Sequence, residues 1–123
     1  MSDLQPRGIP FHVAGKERHL LFTFSAIEKL QDKYDAPLTS IVQTVGDPIK
    51  SYSAIVAIME TLINDEIERT GSDEPPVTAQ MLSWEFDETM KKELQKTILA
   101  AYGISSPEPE EDDAPNLTRS RNS

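Results

Sequence analysis

The chain has 123 residues, no cysteine, 21 acidic against 12 basic side chains and a net charge of −9. That length supports one hydrophobic core rather than two, and the missing thiols exclude disulfides, thiolate catalysis and cysteine-based zinc sites. The acidic balance argues against non-specific binding to nucleic acid or to an anionic membrane. The opening MSDLQPRGIP has no signal-peptide apolar core, and no stretch approaches the roughly 20 apolar residues of a membrane span, so a soluble intracellular protein is expected.

Residues 1–8 read as a flexible N-terminus. Behind them, FHVAGKERHLLFTF (11–24) alternates about Gly15-Lys16 and predicts a β-hairpin. A two-residue II′ loop there pairs Val13 with Arg18, Phe11 with Leu20 and Ile9 with Phe22. Ile9, Phe11, Val13, Leu20 and Phe22 then share one dry face, while His12, Glu17, His19 and Leu21 lie on the other. A lone hairpin is marginal in water, so something must cover the dry face.

Ser25 and Glu28 form a capping-box pattern, with Ile27, Leu30 and Tyr34 recurring at helical spacing and Pro37 as the stop. A short helix carrying Leu38, Ile41, Val42 and Val45 should end at Gly46. Asp47-Pro48 signals the next start. The most regular helix follows, with Tyr52, Ile55, Val56, Met59, Leu62, Ile63 and Ile67 as its apolar stripe and Glu60, Asn64 and Glu68 opposite. It is expected at the centre of the core. TGSDEPP (70–76) is a loop by composition.

Thr78 is placed as an N-cap, with Val77 and Leu82 as a hydrophobic staple. AQMLSWEF should be a short helix carrying Met81, Leu82, Trp84 and Phe86, with Trp84 in the core. Asp87 can cap a last helix whose Met90, Leu94, Ile98 and Ala101 share a face. Gly103-Ile104 fits a Schellman end. From Ser105 the chain turns acidic and proline-rich and predicts a disordered tail. The expectation is an α+β fold: a single domain over 9–104, an N-terminal β-hairpin packed on about four to five α-helices.

Few residues suggest chemistry. His12 and His19 would face each other across the hairpin, but zinc normally takes at least three protein ligands and no further ligand is obvious nearby except Glu17. Two polar residues on a wet face is the plainer reading, so no metal is expected. The carboxylates in NDEIE (64–68) and WEFDE (84–88) fall opposite apolar stripes and read as solvated faces. Phosphate loops, nucleophile elbows and HExxH are absent from the sequence, so neither catalysis nor a cofactor is expected. Met81 beside Phe86 is a combination found in adaptable binding surfaces. With Leu21 on the outer hairpin face and the hairpin's strand edges, Met81 and Phe86 are the candidate partner-binding residues.

VAGKERHLLFTFSAIEKLQDKYD (13–35), the central SYSAIVAIMETLINDEI and the closing AYGISSPEPEEDD together resemble the tail assembly chaperones of long-tailed, siphovirus-type bacteriophages and prophages. The similarity lies in the layout of a GK-E hairpin, a phenylalanine-rich strand, a helix starting Ala-Ile-Glu-Lys-Leu, a long middle helix and an acidic end. It implies a non-enzymatic protein of the host cytoplasm, absent from the mature virion. Such a protein binds the tape-measure protein, keeps it soluble and promotes tail-tube polymerisation around it. The resemblance further implies contact with the tail-tube protein through a longer, frameshifted form diverging near Ser105. The alternative is a structural head–tail connector or tail-completion protein of the virion.

Overall fold

The hairpin forms where the alternation places it, but in a different register. β1 (Ile9–Val13) pairs antiparallel with β2 (Lys16–Leu20), setting Ile9 opposite Leu20, Phe11 opposite Arg18 and Val13 opposite Lys16. The loop is Ala14-Gly15, and both residues have positive φ, 54° and 88°, which is a type I′ turn rather than II′. The register is shifted by two residues and the side-chain period is two, so the dry face survives intact. Val13, Leu20 and Phe22 are buried, and Ile9 and Phe11 pack half-buried against the core. The computed structural model describes residues 8–105; the expectations for residues 1–7 and for the acidic segment 106–123 lie outside them.

Five α-helices follow. Thr23, not Ser25, caps α1 (Phe24–Tyr34), its hydroxyl accepting the Ala26 N–H at 3.1 Å. The helix therefore starts earlier than expected and leaves Phe24 exposed at its first position. It ends through Asp35 in the left-handed region, before Pro37, which instead precedes α2 (Leu38–Gln43). α2 tightens into a 3₁₀ turn, Thr44–Gly46. The Asp47 carboxylate accepts the N–H groups of Ile49 and Lys50 at 2.8 and 2.9 Å. It thus organises a turn before α3 (Ser51–Arg69) rather than opening that helix directly.

α3 is the axis of the domain, packing on β2, α1, α4 (Ala79–Glu85) and α5 (Glu88–Ser105). Ile55, Ile58, Met59, Leu62 and Ile63 are buried along it. Each such side chain contributes about 1.5–3 kcal/mol by leaving water. Thr78 caps α4 as expected, accepting the Met81 N–H at 3.1 Å, and Val77 and Leu82 are both buried beside it. Asp87 likewise accepts the Met90 N–H at 2.9 Å and opens α5, whose Leu94, Ile98 and Ala101 are buried. α5 runs through Gly103 to Ser105, so the expected Schellman end at Gly103 does not form.

The cover over the hairpin is α3 and α5, both of which contact the strands; α1 packs chiefly on α3 and α2. An edge-to-face contact between Phe22 and Tyr102, 6.4 Å between centroids, joins the end of the hairpin to α5. The fold is α+β, an antiparallel hairpin on a five-helix array.

Candidate functional site

Of the carboxylates in 64–68, Glu68 is exposed as expected, 3.3 Å from Lys29, but Asp65 and Glu66 are not on a solvated face. The Asp65 side chain is buried and accepts the Thr23 hydroxyl at 2.6 Å. Glu66 accepts the backbone N–H of His19 at 3.0 Å through Oε1, and its Oε2 lies 3.0 Å from His19 Nδ1. Asn64 both donates to the Val77 carbonyl and accepts the Val77 N–H, at 2.9 and 2.8 Å. This segment latches the hairpin and the α3–α4 loop onto α3. It faces inward because the hairpin and the loop supply backbone groups that would otherwise be unpaired.

The histidines are not opposite each other either. His12 pairs with Glu17 and His19 with Pro10, and among the described residues no group of three or more His, Asp or Glu is placed to hold a metal ion. Each strand edge is closed to docking at one position. On β2 the outward N–H of His19 is taken by Glu66. On β1 the residue opposite it is Pro10, which has no N–H to offer an incoming strand.

Of the three candidate partner-binding residues, Leu21 is half-buried and apart from the groove described below. Met81 is 47% exposed, whereas Phe86 is 9% exposed. Trp84, expected in the core, is 74% exposed. α4 has seven residues and buries Leu82 alone; Trp84 follows two positions later, about 200° round the helix, and so points away from the core.

Between α1, α3 and α4 lies an open groove of about 670 Å³. Val56 and Ala57 of α3 and the ring of Phe86 form its apolar base, with Tyr34 on the α1 side and Ala79, Gln80 and Ser83 on the α4 side. Its ends are polar. Glu60 accepts the Ala79 N–H at 3.0 Å at one end. At the other, the Tyr52 hydroxyl donates to Glu88, and the Lys91 ammonium sits 4.8 Å above the Tyr52 ring. That hydrogen bond raises the pKa of the Tyr52 phenol and lowers that of the Glu88 carboxyl, keeping Glu88 ionised.

Lys33 is the cation among the lining residues. Trp84 stands four residues beyond Gln80 and therefore on the adjoining surface of α4. Such a surface can cover an apolar segment reversibly: it offers aromatic and aliphatic contact from Tyr34, Tyr52, Val56 and Phe86 between polar ends. Sequence reasoning missed the groove because Tyr52 and Val56 read as one stripe with Ile55 and Met59. The signal available was the width of that stripe, too broad an arc for one buried face. No family model, curated protein or solved structure matches this chain.

Proposed function

We propose that the chain is a phage tail assembly chaperone that binds the tape-measure protein, keeps it soluble and promotes tail-tube polymerisation around it. The observation that carries the proposal is the open apolar groove beside exposed Trp84 and Met81. Tape-measure helices expose apolar stripes until the tube encloses them, and masking them takes a modest hydrophobic surface whose affinity permits release. The resemblance of the sequence layout to that chaperone family supports the same function. The net charge of −9 would keep a masked complex dispersed. The protein acts in the host cytoplasm without catalysis or cofactor, and a longer frameshifted form engages the tail-tube protein.

The test is co-expression with the tape-measure protein encoded in the same gene cluster. The proposal expects that protein to move from the insoluble to the soluble fraction and to co-purify with this chain. A tape-measure protein equally insoluble with and without it would overturn the proposal.

A further inference from the structure

We infer that the groove between α1, α3 and α4 is a docking site for about two turns of an amphipathic helix whose apolar stripe is flanked by basic side chains. The inference names the ligand chemistry of the groove on which the proposed function rests.

α3 is surrounded by other elements along most of its circumference, and the exception runs along Tyr52, Ser53, Val56 and Glu60. Those positions span about 12 Å of helix rise, close to two turns. α1 and α4 flank them on either side, which leaves a space of the kind a further helix occupies in a bundle. Two walls carry short side chains, exposed Ser53 on α3 and exposed Ser83 on α4, so an incoming backbone can approach to helix-packing distance. Val56, Ala57 and the Phe86 ring then offer apolar contact to ligand residues at i, i+3 or i+4, and i+7.

Charge selects among occupants. The chain carries −9, and exposed Asp87 and Glu88 stand at the Tyr52 end of the groove, where Lys91 lies 3.6 Å from Glu88. A second copy brings the same negative charge. The chain's own segment from residue 106 brings Glu108, Glu110, Glu111, Asp112 and Asp113 against Arg119 and Arg121, with Leu117 as its one large apolar residue, too few for a stripe. Both are repelled where a lysine- or arginine-flanked helix is attracted.

The test uses synthetic peptides of about 14 residues, four helical turns, sharing one leucine stripe and differing only in flanking lysine or glutamate. Titration calorimetry with the full chain should give binding to the lysine peptide at least roughly tenfold tighter than to the glutamate peptide, weakening as salt rises. Ser53→Tyr and Ser83→Tyr fill the groove from exposed positions. Each should cut affinity roughly tenfold or more while circular dichroism stays unchanged.

Trp84 is the single tryptophan, so its emission should shift to the blue only when the groove is filled. Equal affinity for both peptides, binding indifferent to Ser53→Tyr and Ser83→Tyr, or emission already blue in the free chain would each overturn the inference. The last result would mean that the chain's own end or a second copy fills the site. Binding of the lysine peptide without capture of a tape-measure protein would remove the phage reading alone. Capture unaffected by the two tyrosine variants would remove the groove assignment alone.

Discussion

The Arg18 guanidinium meets the Glu74 carboxylate through two hydrogen bonds, 2.9 Å to Oε1 and 2.6 Å to Oε2, and so ties the hairpin to the α3–α4 loop. Arg18 is 1% exposed, and its Nε and Nη2 also donate to the carbonyls of Val13 and Ala14 at 3.0 and 2.6 Å. A buried guanidinium is tolerated because its donors are matched in fork geometry. Arg18→Ala should therefore destabilise the fold by about 3 kcal/mol in urea unfolding. Arg18→Lys should recover little of that, since a single ammonium cannot make the paired contact.

The same contact predicts an acid sensitivity. Hydrogen bonding to Arg18, with Lys16 3.2 Å away, lowers the Glu74 pKa from the usual 4.5 to about 2. A carboxyl depressed in the folded state adds stability that is fully present above its unfolded value and lost as pH falls through the folded one. Stability should thus decline between pH 4.5 and about 2. Glu74→Gln should be less stable at neutral pH and show a shallower decline in that window, read by urea titrations at stepped pH.

The turn at Ala14-Gly15 carries a correctable cost. Ala14 has φ 54°, a conformation that costs a residue with a Cβ about 1 kcal/mol. Ala14→Asn or Ala14→Gly should raise stability by about 0.5–1 kcal/mol in chemical denaturation. Either change keeps the N–H that Glu85 accepts at 3.1 and 3.3 Å.

Asn64 satisfies both backbone groups of Val77. Asn64→Leu should strand both and cost about 2 kcal/mol. Asn64→Asp should keep the bond from the Val77 N–H but set a carboxylate against the Val77 carbonyl, giving a smaller but clear loss. Thermal unfolding of the two variants distinguishes them.

These contacts mark where sequence patterns stop being informative. The dry hairpin face was legible because alternation fixes side-chain parity, and the two-residue register shift leaves parity untouched. Thr78 and Asp87 were legible as caps because a cap is a local arrangement. Ser25 was mistaken for the cap because Thr23, two residues earlier, offers the same hydroxyl chemistry. The burial of Arg18 was not legible, because its partner Glu74 lies 56 residues away. Trp84 read as core because spacing shows that a helix has faces but not which of them a neighbour covers. The groove depends on three helices coming together around a gap, and no local pattern encodes a gap.

The central claim is that this surface shields an amphipathic helix of the tape-measure protein. Hydrogen–deuterium exchange of the full chain, alone and bound to that protein, tests it most directly. The prediction is slowed exchange in α4 and in the first half of α3, with the hairpin and the second half of α5 unchanged. Protection centred on the hairpin, with α4 exchanging as fast as in the free chain, would contradict it.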